Sequence, residues 1–264
     1  MKILEPFKLL YKYRVLLWQT TKNDIRTRFA GSLLGMLWLF FYPLLLLGAY
    51  AMVYLFIFKV KFHLFDSNEY VALIFCGLIP FIGFSEALSN GVSSVVSNSS
   101  LIKNTLFPIE LIPVKAVLVS QSTQFTGMIM LLLVLGFLDK WTIWLPFFIL
   151  IWLLQILFSI GLIWILSSVN VFARDLQSIV SVLILVLMLI SPIAYTEDMI
   201  PTSLQPFLAL NPMYYLIVSY QDVLMLGRFP DAGIFVTLSL VSLLTFLLGY
   251  VFFIKMKRVF VDNV

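Results

Sequence analysis

Five stretches of this chain carry no charged side chain over a length that matches or exceeds the roughly 20 residues an α-helix needs to cross a bilayer. They are Phe29–Phe58, Ala116–Leu138, Trp141–Ala173, Leu176–Thr196 and Ala232–Ile254. A sixth, Tyr70–Asn98, holds a single acid, Glu86. In hydrocarbon each backbone polar group needs a partner within its own segment, so such runs become helices. The sequence therefore predicts an all-α integral membrane protein of six transmembrane helices. The apolar fraction of 62% and charged fraction of 11% exclude an ordinary soluble domain, in which about a quarter of residues are charged.

The charges set an orientation. Lys2, Lys8, Lys12, Arg14, Lys22, Arg26 and Arg28 precede the first span, and Lys255, Lys257 and Arg258 follow the last. Lys103, Lys115 and Arg174 fall in links on the same side. The opposite links hold Lys59, Lys61, Lys140 and Arg228 but also seven acids, Asp66, Glu69, Asp139, Glu197, Asp198, Asp222 and Asp231. By the positive-inside rule both termini are expected in the cytoplasm. The surplus of +4 is thus a topological signal and not a nucleic-acid footprint. The expected plan is one domain over 1–264: a cytoplasmic interface helix in 1–28, a six-span bundle in 29–254 and a cytoplasmic tail in 255–264. The first apolar run is short and interrupted by charges, so no cleaved signal peptide is expected.

Catalytic and metal chemistry find little support. Cys76 is the sole cysteine and His63 the sole histidine, which leaves no intrachain disulfide, thiolate cluster or Ser/His/Asp arrangement. No Gly-x4-Gly-Lys-Ser/Thr loop for nucleotide phosphates occurs. Glu86 is the one intramembrane acid, whereas ion-coupled transporters carry several ionisable groups. Energy for any work would come from another subunit, and no enzymatic activity or bound cofactor is expected in this chain.

The least typical span is the second. Glu86, Asn90, Ser93 and Ser97 recur at helical spacing and form one polar stripe. Such a stripe avoids lipid. It either glues helices together or walls a path for something polar. Residues 3–19 form a cationic amphipathic helix, with Ile3, Leu4, Phe7, Leu10, Tyr11, Leu17 and Trp18 sharing a face that lies in the interface or packs on the protein. Gly31 and Gly35 form a GxxxG where span one could approach another backbone closely. Pro43 is expected to kink that span, whose aromatic load includes Trp38 and Tyr42. Lys103–Pro108 reads as a small helix or an ordinary link. Spans three and four look nearly featureless, as lipid-facing helices would, with a tight turn at Asp139-Lys140. Pro192 breaks the end of span five. Beyond it Tyr195–Pro230 is too apolar for a free loop and too interrupted by Pro201, Pro206 and Pro212 to cross. Two short re-entrant or interfacial helices are expected, about 200–209 and 213–226, turning at Asn211-Pro212.

Several of these blocks, in order along the chain, resemble the permease subunits of ABC-2 type exporters, and most closely the branch that exports O-antigen or teichoic-acid polysaccharide. They are Arg26–Trp38, the polar span-two exit with LFP at 106–108, NVFARD at 170–175, SPIAY at 191–195 and NPMYYL at 211–216. The resemblance implies a homodimer paired with two copies of a separate P-loop ATPase, which would bind the ATP and Mg. It also implies a channel carrying undecaprenyl-linked polysaccharide across the bacterial inner membrane. On it, Trp38, Tyr42, Glu86, Asn90, Ser93 and Ser97 would line the channel. Lys103, Asn104, Leu106, Phe107, Arg174 and Asp175 would contact the ATPase. Met199, Phe207, Tyr214 and Tyr215 would belong to a periplasmic gate. An ABC-2 exporter of a small hydrophobic drug or lipid would share the fold, with a more uniformly apolar path.

Overall fold

A computed structural model describes residues 4–57, 66–99, 107–196 and 205–260. The described residues form helices and turns and contain no strand. Their arrangement follows from one helix, α4 (Ser67–Val92), which the others enclose. Between Tyr70 and Phe84 every α4 residue except Val71 is buried. It packs against α3 (Trp38–Ala51), α6 (Leu111–Phe137), α7 (Phe148–Asn170), α8 (Leu176–Ile190) and α10 (Pro212–Gln221). A helix apolar on all sides belongs in a protein core or in hydrocarbon, and α4 takes the core. At its start the Asp66 N–H donates to Glu69 Oε2 at 3.2 Å, and Lys140 holds the other oxygen at 2.7 Å. Asp139, left-handed at φ 53°, makes the expected turn beside it.

The N-terminal segment is two helices, α1 (Glu5–Lys12) and α2 (Arg14–Arg28), parted at Tyr13. The break divides the expected common face. Phe7 lies against Phe246 at 5.0 Å, and Leu17 is buried in a cluster that Leu10 joins. Leu4, Tyr11 and Trp18 instead point away from the bundle. One side packs on the protein while another remains open.

Span one starts later than the sequence suggests. Gly31 and Gly35 adopt φ of 81° and 50°, which ends any helix there, and a Cβ on either would meet nothing within 4 Å. They form an open corner and not a helix–helix contact. A 3₁₀ turn at Gly35–Leu37 leads into α3, which runs as α-helix through Pro43, and a π-helical turn at Met52–Ile57 follows. The close backbone approach occurs elsewhere, between α7 and α11 (Ala232–Phe260). A Cβ on Gly161 would collide with the Thr245 carbonyl, and one on Gly249 with the Gly161 carbonyl.

Spans three and four are not featureless. α6 buries Ser120, Gln121, Thr123, Gln124 and Thr126, and α7 buries Gln155, Ser159, Ser167 and Ser168. Both are interior helices on one face. The open helices are α3 and α8, each burying a single residue, Pro43 and Val180. Among the described residues five helices are long and apolar enough to cross a membrane. α8 is apolar but has only 15 residues, about 22 Å at 1.5 Å per residue, and it stops where Ser191 turns extended (ψ 145°) before Pro192.

Beyond it come α9 (Gln205–Leu208) and α10, which continues as a π-helical turn over Asp222–Leu226. The corner at Asn211-Pro212 forms as expected. Asn211 Oδ1 accepts from the Met213 N–H at 2.9 Å, and its amide donates to Ser191 Oγ at 2.9 Å. Proline at the first turn costs no hydrogen bond, and Gly227 at φ 62° closes the segment.

Candidate functional site

Past Phe84, α4 becomes polar, and one flank of this stripe binds α6. Glu86 Oε2 accepts from Thr123 Oγ1 at 2.9 Å, and Asn90 Nδ2 donates to Ser120 Oγ at 3.4 Å. The other flank is open, with Ser89, Asn90 and Ser97 exposed. Three adjoining clefts lie along it. The first, about 340 Å³, runs from Asp24, Arg28 and Lys115 to Asn90, Ser94 and Ser97. The second, about 290 Å³, is bounded by Arg28, Tyr42, Glu86, Ser89, Asn90 and Ser181. The third, about 310 Å³, lies between Arg28, Phe29, Trp38, Tyr42, Glu86 and Thr123.

Of the six expected channel residues, Trp38, Tyr42, Glu86, Asn90 and Ser97 border this groove. Ser93 does not: it ends α4 at φ −91°, ψ −1°. The short helix α5 (Ser94–Ser97) restarts one residue later. Ser94, four residues beyond Asn90 and so on the same face, takes the lining position instead.

Two cations reach the groove from outside the stripe. Arg28, at the end of α2, approaches Glu86 with Nη1 3.2 Å from Oε2. Lys115 is paired with Asp24 at 2.7 Å. The clefts therefore offer hydroxyls, amides, paired charges and three aromatic rings together. Such a surface can hydrogen-bond a polyhydroxylated ligand and stack on its apolar faces. Among the described residues no group of His, Cys, Asp or Glu could hold a metal ion.

Below the groove a second polar constellation is closed to solvent. Gln124 and Gln155 exchange amide hydrogen bonds at 2.8 and 2.9 Å. The Tyr220 hydroxyl donates to Gln155 Oε1 at 3.0 Å and accepts from Gln124 Nε2 at 3.3 Å. Gln155 Nε2 also donates to the Pro80 carbonyl at 2.8 Å. All three side chains are buried. Gly83 leaves room for them, since a Cβ there would collide with the Gln124 amide. This knot ties α4, α6 and α7 to α10.

The remaining expected positions fall at two ends of the bundle. Phe107, Leu9, Leu16 and Val171 each pack against the same buried cluster, which puts the N-terminal helices, the end of the 103–108 link and the α7–α8 turn around one core. Arg174 and Asp175 are exposed in that turn. Lys103, Asn104 and Leu106 lie outside the described residues, as does Met199. Phe207 is exposed, Tyr214 is buried against Val218 and Ile234, and Tyr215 donates to the Ala209 carbonyl at 2.9 Å. The contributions of Thr123, Ser120, Gln124, Gln155 and Tyr220 are new relative to the sequence reading. The first three had a signal in the polar run SQSTQFT at 120–126, whereas Gln155 and Tyr220 are isolated polar residues in apolar surroundings.

Comparisons with known proteins agree with this architecture. Residues 13–225 match the family model described as "ABC-2 type transporter". The chain is 34% identical over 237 residues to the O-antigen export system permease protein RfbA of Myxococcus xanthus, covering 88% of this chain and 89% of that protein. It is 33% identical over 233 residues to the Klebsiella pneumoniae protein of the same name, covering 86% of each. To the polysialic acid transport protein KpsM of Escherichia coli it is 25% identical over 232 residues, covering 86% of this chain and 88% of KpsM. An apolar helical bundle with an open polar groove, matched over most of its length, places the chain in the ABC-2 type transporter family as an integral membrane subunit.

Proposed function

We propose that this protein is the permease subunit of an ATP-driven exporter that moves lipid-linked polysaccharide, most specifically O-antigen, across the bacterial inner membrane. The observation that carries the reading is the groove beside α4. Charged and hydroxylated groups there open outward from a bundle whose outer faces are otherwise apolar, and such groups require water, protein or a polar ligand. Its mixture of Ser, Asn and aromatic side chains suits a glycan better than a small hydrophobic drug or lipid. Similarity at 31–34% identity to O-antigen export permeases supports the same substrate class.

In this reading α8 with Ser191–Thr196 completes a sixth crossing, and both termini are cytoplasmic. The exposed faces of α3 and α8 are covered by a second copy, so that the grooves of two subunits face a common channel. The cluster around Phe107, Val171 and the N-terminal helices marks the end that receives two copies of a P-loop ATPase. α9 and α10 dip in from the periplasmic side and return, with Phe207, Tyr214 and Tyr215 at that mouth.

Replacing Asn90 and Ser94 together by Leu tests the substrate path. Surface glycan is expected to fall strongly at unchanged protein level, and Asn90→Leu with Ser93→Leu should have the weaker effect. Normal surface glycan in the Asn90/Ser94 variant would assign the stripe to helix packing alone.

A further inference from the structure

The three clefts have one residue in common. Arg28 borders all of them, and Glu86 borders the second and third. Their ion pair therefore stands between compartments of one groove and does not merely edge it. We propose that the Arg28–Glu86 pair is a releasable bar across the groove, drawn aside when α2 moves. This rests on the groove being the glycan path.

Three features support release. The bar is the loosest ion pair among the described residues: its 3.2 Å contact compares with 2.6–2.7 Å for the other four. One guanidinium nitrogen makes the contact, without the two-pronged geometry that locks an arginine onto a carboxylate. Next, Glu86 does not depend on Arg28 for its position, because Thr123 donates to the same oxygen at 2.9 Å. When the arginine leaves, the carboxylate stays in place with capacity to accept a ligand hydroxyl.

The third feature is the mounting of Arg28. It is the last residue of α2, and the chain beyond it turns through an exposed corner at 30–34. Gly31 in that corner is in a left-handed conformation with nothing packed around it. The same helix lies along α6, and its Asp24–Lys115 pair at 2.7 Å is the contact that must yield or follow when α2 shifts. A shift of α2 would thus carry the guanidinium out of the groove while α4 and Glu86, fixed in the core, remain. Phe29, 5.3 Å from the guanidinium, would move with it.

The test uses the full-length protein with its ATPase in inverted membrane vesicles, in a Cys76→Ser background. A reporter Ser181→Cys lies in the second cleft, which both members of the pair border, and Ser97→Cys lies in the first cleft, which only Arg28 borders. A small charged thiosulfonate is added from the cytoplasmic side. Arg28→Ala and Arg28→Glu should each raise the labelling rate at 181 by about fivefold, the scale of a partly exposed ion pair, and leave the rate at 97 unchanged. Arg28→Glu combined with Glu86→Arg should restore slow labelling at 181. Equal rates at 181 with and without Arg28, or a rise at both positions, overturns the bar. Ser181→Trp, which fills the cleft without altering the pair, tests the path separately through surface glycan. Normal glycan in that variant, with labelling as expected, overturns the glycan path and leaves the bar standing.

Discussion

Changing Tyr220 to Phe removes one hydroxyl from the knot that joins α10 to the three helices around it. That hydroxyl satisfies two groups at once, donating to Gln155 Oε1 and accepting from Gln124 Nε2. Its loss leaves a Gln124 N–H without a partner in a site closed to water, and a buried unmet donor costs about 1–3 kcal/mol. Interhelical hydrogen bonds in membranes average about 0.6 kcal/mol and reach about 1.7, so a loss of about 1–2 kcal/mol is expected. At roughly 2–4 °C per kcal/mol, the unfolding midpoint in detergent should drop by about 4 °C. Gln155→Leu strips the partners from Gln124 Oε1, the Tyr220 hydroxyl proton and one bond at the Pro80 carbonyl. It should cost about 3 kcal/mol or more, since several groups are orphaned together. The decisive measurement is the triple variant Gln124→Leu, Gln155→Leu, Tyr220→Phe. With nearly all of the network's polar atoms gone there is little left to orphan, and removing both partners can be close to neutral. It should melt above Gln155→Leu alone despite carrying two more changes. A triple variant whose loss equals the sum of its parts, or an unchanged midpoint for Tyr220→Phe, would refute the reasoning.

Four other perturbations separate packing, backbone, docking and topology. Gly249→Ala should lower the melting temperature by several degrees, because its Cβ overlaps the Gly161 carbonyl and overpacking costs about 1–3 kcal/mol. Gly31→Ala, set in open space at φ 81°, should cost only about 1 kcal/mol of backbone strain. Replacing Leu106 and Phe107 by Asp should abolish co-purification of the ATPase while the protein remains membrane-inserted; unchanged recovery would remove the docking role of that link. Ser203→Cys should label with an impermeant reagent in intact spheroplasts and Asn263→Cys should not; the reverse pattern would invert the topology.

The helical framework was legible because hydrocarbon imposes a simple rule on sequence. Apolar length located the membrane helices, five of which are long enough to cross among the described residues, and prolines with Asn211 marked the corner between α9 and α10. What composition could not resolve was which face of an apolar helix meets protein. Spans three and four differ little in hydropathy from a lipid-facing helix, yet Gln124 and Gln155 are interior because a carboxamide needs partners that lipid cannot supply. The same difficulty affected the glycines. Gly31 and Gly35 have the spacing of a packing motif, but their positive φ values put them in a turn. Gly161 and Gly249 sit far apart in sequence and meet only once α7 and α11 are assembled. At the stripe, helical spacing allows either i+3 or i+4 after Asn90, and it is Ser94, not Ser93, that lines the groove.

The geometry of α4 gives the stripe room for both helix contact and an open polar face, the two readings that the sequence leaves open. A stripe about two residues wide has two edges, and the 100° step of a helix turns them in different directions. Glu86 and Asn90 use one edge to reach Thr123 and Ser120 on α6, while the other borders open clefts. The first use strengthens the second. Side chains fixed by α6 do not spend conformational freedom when a ligand arrives, which is the basis of preorganised binding. Arg28 stands apart because it comes from a helix outside the bundle's core and makes one long contact. A fixed carboxylate with a displaceable cation gives the groove a closed arrangement, and that arrangement can open without disturbing the core.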